Sequence, residues 1–144
     1  MTYTSFQTID KEGNTQTFKY NFIKEVLFGR EKWHFRVIPE DEFCDDFFYL
    51  GATAINKDTL KITGVNRHNQ IVYSAKGIPE KIILELGYLS GKKVISSSNN
   101  SKSKYFEDEF RTPAAAKVWQ RLVEQGLAFH NEETDIFSLN LVQL

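Results

Sequence analysis

A single cysteine, Cys44, in 144 residues excludes an intrachain disulfide framework and any multi-cysteine zinc site, and a reducing compartment fits such a chain best. Long apolar runs are missing too. No stretch approaches the ~20 apolar residues that span a bilayer, and the opening MTYTSFQTIDKEG has no basic region followed by an apolar run. The expectation is a soluble, cytoplasmic protein. An excess of charge of one sign is also lacking: 18 basic against 19 acidic groups leave a formal net charge of -1. That balance creates no field to recruit nucleic acid or an anionic membrane, and no local basic patch stands out. The histidines, His34, His68 and His130, show no ligand spacing and no partnered carboxylate pattern, so each reads as a surface or packing residue and no metal site is predicted. Cys44 would be a nucleophile only with a positioned histidine, which the sequence does not supply.

Apolar and aromatic residues, in contrast, are plentiful. Hydrophobic residues make up 41% and aromatics 14%, with twelve Phe and two Trp, enough apolar area to offset chain entropy and exclude a disordered chain. The length suits one domain, residues 1–144, with one core. Its first half is strand-like: TFKYNFIKEVLF (17–28), WHFRVI (33–38), FFYLGATAI (47–55), TLKITGV (59–65) and QIVYSA (70–75) are short, aromatic and β-branched. The breaks FGRE, NKD and NRHN are short enough for hairpins, so consecutive strands should be antiparallel neighbours. KEGN (11–14) is a further hairpin candidate.

After Gly77 the period changes. Ile78, Ile82, Ile83, Leu86 and Leu89 form one stripe, with Glu80, Lys81 and Glu85 opposite and Pro79 in the first turn, which predicts an amphipathic helix over about 77–90. Gly91 stops it. KKVISSS (92–98) then reads as a short strand and NNSKSKYFEDEFR as a surface loop. Thr112 and Pro113 are a helix-start signal, an N-cap hydroxyl followed by proline at the first helical position, so a second helix is predicted over 113–126. Two short apolar runs flanking NEETD complete the chain as a candidate hairpin. The fold class is therefore α+β: a mixed, mostly antiparallel central sheet, two main helices and a β-rich N-terminal half.

This order, with a glycine turn between a strand and the first helix, resembles the second half of the GNAT superfamily of acyl-CoA-dependent N-acyltransferases. The resemblance is strongest over residues 59–139, and its nearest character is that of an atypical or reduced member, similar to uncharacterised phage and bacterial ones. In that family a turn of the type Arg/Gln-x-x-Gly-x-Gly/Ala precedes the helix, and its N–H groups hold the coenzyme pyrophosphate. The matching stretch is Ser74-Ala75-Lys76-Gly77-Ile78-Pro79, with Ser74 in place of Arg or Gln, Pro79 in place of Gly or Ala, and Lys76 able to add charge. KVISSSNN looks like the family's following strand, which runs parallel to its neighbour and splays from it to leave a cleft for the pantetheine arm. PAAAKVWQRLVEQGLAF looks like the next helix, where Trp119 replaces a tyrosine that protonates the departing thiolate in many members; an indole N–H is not acidic enough for that role.

The resemblance implies acetyl-CoA or another acyl-CoA as cofactor and an amine as acceptor. It implies coenzyme contacts from the backbone of Ile62, Thr63, Gly64 and Val65, from Ser74, Lys76, Gly77 and Ile78 at the turn, and from Ser97 and Asn99 at the strand end. Each has a plainer alternative. Gly64 is either a bulge or close approach of ligand, or an ordinary hairpin irregularity; Gly77 and Lys76 suit a simple strand-to-helix connection; Ser96 to Asn99 suit a polar strand end. The acidic run of Glu40, Asp41, Glu42, Asp45 and Asp46 offers candidate bases, or is a solvated loop. Three functions stay open: an N-acetyltransferase acting by direct transfer to an unknown amine, a GNAT-like binding module without catalysis, and an unrelated β-rich domain whose meander forms a ligand cup. A homodimer through sheet edges is possible on any of them.

Overall fold

The computed structural model describes residues 2–10, 12–41, 47–67 and 77–140. Five strands follow one another: β1 (Thr4–Ile9), β2 (Thr15–Leu27), β3 (Arg30–Pro39), β4 (Phe48–Asn56) and β5 (Thr59–Arg67). Each pairs antiparallel with the next, as short turns between aromatic, β-branched runs dictate. Helix α1 (Ile78–Ser90) then leads to β6 (Lys93–Ile95), helix α2 (Pro113–Glu124), β7 (Ala128–Asn131) and β8 (Ile136–Leu139). The result is one eight-stranded sheet in the order β1-β2-β3-β4-β5-β6-β8-β7. Among the described strands only β5 and β6 run parallel, as a connection through a helix rather than a hairpin allows.

These boundaries match the sequence expectations within a few residues, with two differences. Strand β1 was not among the segments the pattern picked out, although its turn was: Asp10 Oδ1 accepts hydrogen bonds from the N–H groups of Glu12 and Asn14. The strand predicted at 70–75 lies outside the described residues. The C-terminal hairpin closes over NEETD as its composition suggested.

Alternation along the strands decides the core. Phe18 and Tyr20 of β2, Trp33, Phe35 and Val37 of β3, and Phe48, Leu50 and Ala52 of β4 are all buried, and the antiparallel register stacks them on one face. Both described helices lie on this face. Ile78, Ile82, Ile83 and Leu86 of α1 and Val118, Trp119 and Leu122 of α2 join the same cluster, each large side chain contributing about 1.5–3 kcal/mol by leaving water. The Tyr20 hydroxyl also ties β2 to α1 through Glu85 at 2.9 Å. Burial, with the Glu85 carboxylate second, pushes that phenol up to about 12.

The opposite face carries Glu25, His34, Tyr49, Thr53 and Lys61, all at parity-matched positions of β2 to β5. Its Lys61 end is covered by the segment 99–112. The sequence reading of that segment as a surface loop needs correcting for two residues: Glu109 and Arg111 are 6% and 8% exposed. Glu109 takes Lys61 Nζ on both oxygens, at 2.8 and 2.7 Å, and also accepts from the N–H groups of Ser98, Tyr105 and Phe106. Burial alone would raise the Glu109 carboxyl, but Lys61 and these amides hold it below its ordinary value. A charged loop thus becomes a fixed lid, because a buried carboxylate must be paired.

Candidate functional site

Strands β5 and β6 form a parallel ladder for three residues only, Thr59, Leu60 and Lys61 against Lys93, Val94 and Ile95. Beyond Ile95 the second strand turns to β8, where Ser96 N–H donates to Phe137 O at 2.9 Å, while β5 continues. A cleft opens between them. The Ser97 hydroxyl reaches across its root and donates to Ile62 O at 2.9 Å, standing where the ladder would have continued. Further along, the β4–β5 register shifts between Gly51 and Ala52: Gly51 faces Gly64 while Ala52 faces Ile62. Thr63 is therefore the extra residue of a bulge, which bends β5 away at the cleft. Gly64 does sit at an irregularity, as its position in the strand suggested.

The inner cleft has a volume of about 240 Å³. Ile62, Thr63, Gly64 and Val65 form one wall, Ser96 and Ser97 another, and Arg111 and Trp119 close it. A narrow apolar neck of about 70 Å³ adjoins it, lined by Ile62, Val65, Pro79, Ile83, Ala115 and Trp119. Pro79, Ala114 and Val118 in turn border a wider basin of about 680 Å³, lined also by Thr8, Asp10, Gly77, Glu80, Lys81, Lys117 and Arg121. Basin, neck and cleft form one trough from the start of α1 to the gap in the sheet.

The trough begins at an uncapped helix. Gly77 takes φ 77°, a left-handed conformation, and among the described residues no side-chain hydrogen bond caps α1, an arrangement in which first-turn N–H groups look outward from the helix end. Pro79 contributes no N–H. Beside them Thr8 Oγ1 and Glu80 Oε2 are buried and have no hydrogen-bond partner among the described residues. The other Glu80 oxygen is neutralised by Arg121 at 2.6 Å, which also clamps α1 to α2.

Of the residues singled out from sequence, the structure gathers Ile62, Thr63, Gly64, Val65 and Ser97 around the cleft and puts Gly77 at the basin. Ile78 is fully buried in the core, so only its backbone belongs to the helix start. Asn99 lies outside the cleft lining: its side chain bonds the backbone of Arg111 in both directions, at 3.1 and 2.9 Å. Trp119 is 2% exposed and stacks on Phe137. Ser74, Lys76, Glu42, Cys44, Asp45, Asp46 and His68 fall outside the described residues. Glu40 accepts from the Ser5 hydroxyl at 2.6 Å, away from the cleft, and Asp41 is exposed.

Two clusters escaped the sequence reading. Arg111 donates from Nη1 to Ser97 O and Asp135 O and from Nη2 to Asp135 Oδ1 at 2.7 Å, while His130 takes the same carboxylate at 2.9 Å. Burial opposes ionisation of Asp135, yet Arg111, His130 and the Asn99 N–H together hold its carboxyl below the usual range. This cluster fixes the cleft wall. On the open sheet face, His34 bonds Tyr49 Oη through Nδ1 at 2.6 Å and Glu25 Oε1 through Nε2 at 2.8 Å. Burial, then the Glu25 charge, raises the Tyr49 phenol above its ordinary value. His34 is thus more than a packing residue; the alternation that puts positions 25, 34 and 49 on one face was the available signal.

Comparison of the chain with protein-family models, with curated proteins and with solved structures gives no match in any of the three. Among the described residues no helix is long and apolar enough to cross a membrane, and no group of His, Cys, Asp and Glu is placed to hold a metal ion.

Proposed function

We propose that the chain is a GNAT-like N-acyltransferase that binds acetyl-CoA or a related acyl-CoA in the trough and transfers the acyl group to an amine. The observation that carries this reading is the divergence of β5 from β6 beside a bulge, with an uncapped helix start at the other end of the same trough. The three compartments suit the three parts of such a ligand. A basin at a helix start without a side-chain cap, lined by the basic Lys81 and Lys117, suits the pyrophosphate. The apolar neck suits the thin pantetheine arm. The cleft, where β5 past Lys61 has no strand on its β6 side among the described residues, offers backbone groups to the amides of that arm and to the thioester carbonyl. The reaction forms a C–N bond, breaks the C–S bond, and moves a proton from nitrogen to sulfur.

The trough supports the reading, and titration calorimetry with acetyl-CoA tests it. One saturable site is expected on the native protein. Gly77→Glu, which adds a charge and a side chain at the helix start, should weaken it at least about tenfold, the equivalent of about 1.4 kcal/mol. No binding by the native protein would sink the proposal. Trp119 favours a second reading, a binding module that holds an acyl-CoA without turning it over; binding with no release of coenzyme thiol in the presence of any amine would select it.

A further inference from the structure

Transfer to an amine requires that the ammonium lose a proton, and among the described residues the cleft lining offers no base. Arg111 is the ionisable side chain among its described residues, and a guanidinium keeps its proton. Tyr49 packs on the Gly64 part of that wall from the open face of the sheet. Its ring lies flat along the sheet over two glycines paired across β4 and β5: a Cβ on Gly64 would come within 3.2 Å of Tyr49 Cε1, and one on Gly51 would strike the phenol oxygen. Glycine at both positions is what lets the ring run from the cleft wall to His34. Resting on the acyltransferase reading, we propose that Tyr49, His34 and Glu25 form the relay that takes the proton from the acceptor amine.

The step balances without any further reagent. In the neutral imidazole, Nε2–H donates to the Glu25 carboxylate and Nδ1 accepts from the Tyr49 hydroxyl. As the ammonium gives a proton to the phenol oxygen, directly or through one water, the phenol passes its own to Nδ1. Tyr49 ends neutral, and the imidazolium stands against Glu25. The amine nitrogen then attacks the thioester carbon. The departing sulfur gains the second nitrogen proton, and His34 returns its proton to solvent past Glu25, which is 40% exposed. Among the described residues, the other charges on this face are Lys19 of β2, Arg30 of β3, Lys32, opposite Thr53 and beside Glu25 on β2, Arg36, opposite Tyr49 and held over the Phe47 ring, and Lys61 of β5 with its partner Glu109.

The test measures acetyl-CoA binding by calorimetry and thiol release against pH, with spermidine, tyramine and a lysine peptide as acceptors and with water alone, since water attack needs the same base. Tyr49→Phe and His34→Gln should bind acetyl-CoA as the native protein does, yet turn over at least about tenfold more slowly and lose the ascending limb of the pH profile, general bases typically supplying ~10²–10⁴-fold. Glu25→Gln should fall between. Gly51→Ala keeps all three residues, displaces the phenol, and should behave like Tyr49→Phe; far-UV circular dichroism of each variant checks folding. Unchanged rates and pH profiles in Tyr49→Phe and His34→Gln would overturn the relay while leaving the acyl-CoA site standing. So would a native protein that binds acetyl-CoA and releases no thiol. Failure to bind acetyl-CoA would instead remove the acyltransferase reading beneath it.

Discussion

The two helices begin alike in sequence and differently in structure. Both have proline in the first turn, but Thr112 caps α2 by accepting from Ala115 N–H at 3.1 Å, whereas Gly77 leaves α1 without any side-chain cap. The difference lies in what each start faces. The capped start of α2 emerges from a segment pinned by Glu109 and Arg111 and borders the cleft and the neck through Thr112 and Ala115. The uncapped start of α1 opens onto the basin, lined also by Lys81, Lys117 and Arg121. One helix end is closed by its own N-cap side chain, and the other is the end that the acyltransferase proposal assigns to the coenzyme's anion.

Breaking the pinned side should have the largest effect. Glu109→Ala leaves Lys61 buried without its partner, and loss of about 3–5 kcal/mol is expected from urea unfolding near neutral pH. Acidity should reproduce part of this. Because the folded Glu109 carboxyl lies below its ordinary value, its contribution is fully present above the usual carboxylate range and is lost as the pH falls through the folded value. The native protein should therefore lose more stability on acidification than Glu109→Gln does.

Smaller changes sharpen the contrast between the helix starts. Gly77→Ala places a side chain at positive φ and should cost about 1–2 kcal/mol, while Thr112→Ala removes one cap and should cost about 1 kcal/mol. Although their thermal shifts should be close, only Gly77→Ala is expected to weaken acetyl-CoA binding. Equal effects of both on binding would mean that the α1 start acts only through stability.

How much of this was legible depended on distance along the chain. The period-two runs of β2 to β5 and the stripe of Ile78, Ile82, Ile83 and Leu86 are local signals, and they gave these strands and α1 to within about three residues, though not their joining into one sheet with the C-terminal strands. Gly64 was legible as an irregularity, and with Ser97 it marked both walls of the cleft. Glu109 and Arg111 were not, because a segment without period reveals burial only when its partners are known, and Lys61 lies 48 residues from Glu109. The Tyr49 relay fell between these cases. Its members share a face by alternation, but the roles of Gly51 and Gly64 in making room for the ring depend on a bulge that shifts the register by one residue.

Amide chemical shifts followed by NMR during titration with acetyl-CoA would test the trough most directly. Saturating perturbations are expected at Gly77, Ile78 and Glu80, at Thr63 to Val65, and at Ser97, with none at the distant β2–β3 turn around Gly29. No perturbation on titration, or shifts confined to residues away from α1 and the β5–β6 cleft, would contradict the account.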